Sequence, residues 1–223
     1  MTRIMVPARG PEDWQALLAD PVKHWRAGFS AMATARSWSA ASGLPPEIAA
    51  LVGPDAELLL AVPEHKVALP GGERASQCDV FALVRQGGDT LALAVEAKVD
   101  EPFDRTLKDW MGAGTSGKRA RLGAIRDLLG CADPPGNLRY QLFHRTAATI
   151  LEARRFGTTR AAMIVQSFSQ EHRWYNDFAA FCTFLGVQPE RGRALTYRLP
   201  DGMELTLGWA TGEARFLAPD GGG

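Results

Sequence analysis

No window of the 223 residues approaches 18 uninterrupted apolar positions, so no membrane span is expected. The opening MTRIMVPARGPEDW lacks the apolar run of a signal peptide. Net charge is missing too, since 25 Lys and Arg balance 25 Asp and Glu. Any nucleic-acid contact must therefore come from a local basic patch, and a homodimer or another partner is expected to complete a DNA-binding surface. Cysteine is scarce and unpatterned: Cys78, Cys131 and Cys182 are odd in number, far apart and without CxxC or Cys/His spacing. That excludes a zinc ribbon or disulfide framework and points to reduced structural thiols in the cytoplasm. No internal repeat is present. What remains, 46% apolar and 22% charged residues, is ordinary globular composition with enough length for one sizeable core.

Local patterns give an element order. Residues 11–19 read as a short helix with Pro and acids in its first turn, and 22–41 as a longer one with Trp25, Phe29 and Met32 at core spacing. LPPEIAALVG is a third helix, its Glu47 in the first turn favoured by the helix dipole alone. Residues 57–62 form a first strand, followed by a polar connection that carries Glu64, His65 and Lys66. These three are a solvated turn, or, if the segment pairs beside residues 79–86, Glu64 supplies an extra acid at the rim of a site.

Two apolar runs, 79–86 and 89–99, are split by Gly87-Gly88, the signal of a two-residue β-hairpin. If Gln86 faces Asp89, then Leu83 meets Ala92, Phe81 meets Ala94 and Asp79 meets Glu96. Side chains alternate along a strand, so Asp79, Glu96 and Lys98 share one face, with small Ala92 and Ala94 lower down leaving space beneath a helix. Facing carboxylates repel, and a divalent cation is the natural third party.

Residues 100–117 lose periodicity and read as a mobile loop. Within it Gly112 to Lys118 matches the spacing of a phosphate-binding loop, but Arg119 stands where a metal-binding hydroxyl belongs and no buried strand precedes it. Nucleotide hydrolysis is therefore disfavoured, whereas Lys118, Arg119 and Arg121 remain candidates to hold a nucleic-acid phosphate. Amphipathic helices follow at 118–129 and 138–156. The second buries Phe143, Ala147 and Ile150 and presents Gln141, Arg145, Glu152 and Arg155 on a polar face; its His144 is expected to be a structurally bonded or surface residue. A buried strand at 160–168 precedes a helix with Trp174, Phe178, Phe181 and Leu185 at core spacing. A hairpin about Asp201-Gly202 and a disordered GGG tail end the chain.

The succession is α-β-β-β-α-β, an α/β (α+β) fold with a mixed central sheet flanked by helices. One domain is expected, with a helical N-terminal extension at 1–43, a core at 44–186 and a C-terminal hairpin and tail at 187–223. With Asp79 on the second strand and Glu96-Ala97-Lys98 on the third, this resembles the PD-(D/E)XK nuclease, or restriction-endonuclease-like, superfamily. Cys78 stands where the name-giving proline would be. The resemblance implies a Mg²⁺- or Mn²⁺-dependent phosphodiesterase, endonuclease or exonuclease, acting on DNA more than on RNA. In that scheme Asp79, Glu96 and the Ala97 backbone carbonyl hold the metal and Lys98 positions the attacking water. Gln141 is then the polar side chain lent by the helix after the third strand. The alternative is an inactive binding or interaction module on the same fold.

Overall fold

The computed structural model describes residues 10–18 and 20–219. The GGG tail, and the last residue of the helix expected at 11–19, lie outside the described residues. In chain order a 3₁₀ helix at Pro11–Leu17 precedes α1 (Pro21–His24), α2 (Ser30–Ala40) and α3 (Pro46–Val52). Then come β1 (Glu57–Val67), β2 (Ser76–Gln86), β3 (Asp89–Lys98), α4 (Leu107–Met111), α5 (Ser116–Leu129) and α6 (Tyr140–Phe156). The chain closes with β4 (Arg160–Ser167), α7 (Tyr175–Phe184), β5 (Leu195–Arg198), β6 (Glu204–Thr211) and a 3₁₀ turn at Ala214–Leu217.

The six strands form one mixed open sheet in the order β1-β2-β3-β4-β6-β5, an α/β architecture. β1, β2 and β3 pair antiparallel, β4 is parallel to both β3 and β6, and β5 closes the far edge antiparallel to β6. The expected hairpin register holds: Gln86 faces Asp89, Leu83 faces Ala92 and Phe81 faces Ala94. Gly87 adopts φ +60°, which is why glycine occupies the turn.

Alternation along the strands divides two cores. Phe81, Ala92, Ala94, Met163 and Val165 pack under α5, α6 and α7, while Val80, Ala82, Leu93, Val95 and Ile164 pack under α2 and α3. Ala92 and Ala94 are wholly covered, together with Phe143 and Ala147 of α6. The small residues let the helix approach the sheet; the space expected beneath it is filled. Each large side chain buried this way contributes about 1.5–3 kcal/mol.

Several expectations need correction. The segment 22–41 is no continuous helix: Gly28 sits at φ +82°, and the chain re-enters a helix at Ser30. The resulting phase shift exposes Phe29 (43%) and turns Ala33, Ala35 and Trp38 inward instead. Trp38 Nε1 donates to Gln166 Oε1 (3.1 Å), and Gln166 Nε2 donates to Ser37 Oγ and Glu47 Oε1, so α2 and α3 are tied to β4. Glu47 is thus a bonded acid, and α2 packs on the sheet as an integral part of it. The first strand runs on through Pro63 to Val67, tolerated because β1 is an edge strand. The C-terminal hairpin adds to the main sheet, since β6 lies beside β4 in parallel register and its Trp209 is fully buried. The 100–117 loop is pinned by buried Phe103, by α4 and by a bridge between Thr106 and Arg139.

Candidate active site

Asp79 is the one position of β2 left unpaired with both neighbours, with no change of register. On one side the pairing steps from Pro63–Val80 to His65–Cys78 and passes over Glu64 and Asp79; on the other it stops at Val80–Val95, one short of Asp79–Glu96. Glu64 takes φ +54°, a left-handed conformation unusual for a residue with a side chain. Asp79 fills the gap with its side chain: Oδ2 accepts the Ala97 amide (2.6 Å) in place of a strand carbonyl. Glu64, Asp79 and Glu96 therefore stand level across three adjacent strands, and they line one cleft of about 490 Å³ with Ala97, Lys98, Gln141 and Arg145. On either side of Glu64, Pro63 pairs with Val80 and His65 with Cys78, so this segment lies beside β2.

Glu96, 2% exposed, is the most heavily bonded group. Oε1 accepts from Lys98 Nζ and from Gln141 Nε2 (2.7 Å), and Oε2 accepts from Arg145 Nε. Arg145 Nη1 donates to Ser76 Oγ (3.0 Å), whose hydroxyl also meets His144 Nδ1 (2.8 Å). Lys98 Nζ lies 5.2 Å from the Phe103 ring centroid, a cation-π contact that limits its reach. His144 is thus structurally bonded. Arg145 and Glu152 are buried although the sequence put them on a polar face, because that face of α6 turns to the β1–β2 end of the sheet. There Glu152 accepts from His65 (2.9 Å), which stacks on Phe81.

The three acids titrate in opposite directions. Burial opposes the charge on Glu96, but the charges of Arg145 and Lys98 and their hydrogen bonds override it and lower its pKa to about 2. Burial raises Glu64 to about 7, with the Glu96 charge adding to the shift and the Gln77 hydrogen bond (2.6 Å) resisting it. Asp79 is raised well above the usual carboxylate range by burial, then by the charges of Glu96 and Glu64. Four carboxylates, Glu64, Asp79, Glu96 and Glu101, line the cleft against three cations, Lys23, Lys98 and Arg145, so formal negative charge is in excess.

That imbalance and the donor set suit a hard divalent cation. Asp79 Oδ1 and Glu64 Oε1 accept no hydrogen bond among the described residues, and Gln141 Oε1 is buried without a partner. Among the described residues no group of three His, Cys, Asp or Glu side chains is gathered around one point. Two carboxylates would suffice for Mg²⁺, an ion that keeps several waters and commonly takes one or two. Glu96 would have to share an oxygen now given to Lys98, Gln141 or Arg145.

The three cations expected to hold phosphate do not act together. Lys118 Nζ donates to the carbonyls of Trp110 (2.6 Å) and Met111, and Arg119 Nη1 to that of Gly114 (2.7 Å), closing the end of α4. Arg121 is buried and ties the Leu69–Gly72 loop through three carbonyls. The phosphate-loop look-alike springs from α4, and Thr115 caps α5. Sequence reasoning passed over Arg145 as a site residue; its signal was the i, i+4 spacing from Gln141 on one helix face.

The profile of a domain of unknown function, DUF6946, matches residues 7–214. The chain belongs to the DUF6946 family. No curated protein and no solved structure matches it. All three cysteines are free thiols, and no helix of the described residues is long and apolar enough to cross a membrane.

Proposed function

We propose that this DUF6946 protein is a Mg²⁺- or Mn²⁺-dependent phosphodiesterase acting on nucleic acid, DNA more than RNA, of the PD-(D/E)XK type and working in the cytoplasm. The observation that carries the reading is that Glu64, Asp79 and Glu96, on three adjacent strands, line one cleft with Lys98 beside them. Asp79, Glu96 and the Ala97 carbonyl would hold the ion, which when bound stabilises charge developing on the phosphodiester and acidifies water.

The chain's own groups divide the remaining work. Lys98, held by Glu96, positions the attacking water. Glu64, with its pKa near 7, is matched to accept the proton that water loses as its oxygen bonds to phosphorus and the ester P–O bond breaks. Gln141 fixes Glu96 from α6. Arg145 acts as a positioning residue, since it touches the site through Glu96 and holds that carboxylate ionised.

A second reading, a binding module without catalysis, draws on one observation: both Glu96 oxygens are already given to Lys98, Gln141 and Arg145. Incubation with single- and double-stranded DNA and RNA plus Mn²⁺ separates the two. Cleavage by the wild type that disappears in Lys98→Ala supports the enzyme. Binding without cleavage supports the module, and cleavage equal in wild type and mutant refutes the site.

A further inference from the structure

A second cavity, of about 310 Å³, lies on the other side of Gln141 and Arg145 from the acidic cleft and is opposite to it in character. Arg74, Arg121 and Arg145 line it, and its one lining acid, Asp104, is exposed. The positive field reaches inward: after burial itself, the charge of Arg145 lowers the pKa of His144, and those of Arg121 and Arg74 add to it.

The cavity is built, not a chance cluster of surface charge. Arg121 and Arg145 are 8% and 9% exposed, and each is fixed by hydrogen bonds, Arg121 to three carbonyls of the Leu69–Gly72 loop and Arg145 to Glu96 and Ser76. The loop that Arg121 holds lies directly on α5: Gly71, at φ +80°, is so close that an added Cβ would stand 2.4 Å from the Arg121 backbone nitrogen. Only glycine permits that approach. Tyr140, 6% exposed, stacks its ring on Trp110 (3.8 Å between centroids, 13° between planes). Its hydroxyl is buried with no hydrogen-bond partner, although Arg121 is near enough to act on it. A buried hydroxyl without a partner costs about 1–3 kcal/mol, which an acceptor bound in the cavity would recover.

We infer that this cavity binds a phosphate monoester borne by a nucleoside, either the terminal phosphate of a nucleic-acid strand or a free mononucleotide. The dianion meets the guanidinium groups of Arg74, Arg121 and Arg145 and accepts from the Tyr140 hydroxyl, and the Trp110–Tyr140 pair gives a flat wall for the attached sugar or base. Guanidinium donors match phosphate geometry where a neutral or singly bonded ligand would leave them unsatisfied. The identity of the ligand rests on the nucleic-acid reading above, but the binding itself needs neither the acids nor a metal. Shared walls at Gln77, Gln141 and Arg145 would set a strand end one side chain from the acidic row.

Calorimetric titration in EDTA tests this apart from any cleavage. The probes are inorganic phosphate, AMP, and one oligonucleotide prepared with 5′-phosphate, 3′-phosphate or hydroxyl ends. A phosphorylated probe is expected to bind at least about tenfold tighter than the hydroxyl-ended strand. Arg74→Ala, at an exposed position that can be changed without disturbing the core, should remove most of that difference, and Tyr140→Phe, which keeps the stacked ring, should reduce it severalfold. AMP binding as tightly as the phosphorylated strand assigns the ligand as a free mononucleotide; preference for one phosphorylated end assigns a strand terminus. Equal binding of all three strands with no binding of AMP or phosphate overturns the inference, as does a difference that survives both substitutions. Loss of Mn²⁺ binding or of cleavage would leave these results untouched and would count against the nuclease reading alone.

Discussion

The acidic cleft and the basic cavity share one wall and differ in the sign of the charge that lines them. Burial is common to both, so it cannot explain the contrast. Glu96 and Asp79 make the point within a single cleft. They stand on adjacent strands, yet Glu96 is lowered to about 2 because it touches Lys98 and Arg145, while Asp79, which no cation of the described residues touches, is raised first by burial and then by the charges of Glu96 and Glu64. Direct contact with a cation, more than depth, sets the sign. Arg145 is the hinge of the comparison, since it serves the acid on one side and faces the arginines on the other.

The largest way to break the comparison is to remove the acid that joins the two sides. Glu96→Ala leaves Lys98 and Arg145 buried without their carboxylate, and urea unfolding should show a loss of about 3–5 kcal/mol. Glu96→Gln, which keeps polar acceptor capacity, should lose less. Next comes the pH dependence of metal affinity. Glu64 is raised to about 7 and Asp79 well above its ordinary value, so protons compete with a metal for both as pH falls. Mn²⁺ should bind about tenfold or more tightly at pH 8 than at pH 6, with proton release measurable by calorimetry in buffers of different ionisation enthalpy.

A smaller effect sharpens the acidic side alone. A carboxyl raised in the folded state costs stability once pH exceeds its unfolded value, and the full cost is present above the folded value. Glu64→Gln should therefore stabilise the metal-free protein by about 3 kcal/mol at pH 8 and by less than about 1 kcal/mol at pH 5. Glu96 runs the other way: its stabilisation is present above its ordinary value of 4.5 and is lost as pH falls toward about 2. Smallest is Arg74→Ala, which should change unfolding free energy by less than about 0.5 kcal/mol while weakening phosphate binding.

Much of this geometry was legible in the sequence because it depends on local rules. Gly87-Gly88 sets the hairpin register, and strand alternation then puts Asp79, Glu96 and Lys98 on one face without any knowledge of the rest. Gln141 came through the resemblance, which lends the site a polar side chain from the helix after the third strand. Less legible was anything decided by contacts distant in sequence. Pro63 concealed the continuation of β1, because only its edge position makes the proline harmless. Arg145 and Glu152 read as a solvated face until α6 was laid against β1 and β2. Phe29 read as core because the break at Gly28 shifts the helical phase after it. Arg74, in the Gly-rich connection before β2, carried no periodic signal at all; only folding brings it to Arg121 and Arg145.

The acidic cleft as a metal site is tested most directly by titrating Mn²⁺ into the metal-free protein at pH 8, beside Asp79→Ala. One or two sites in the wild type, weakened at least about tenfold by the substitution, is the expected result. Superimposable isotherms for the two proteins would contradict it.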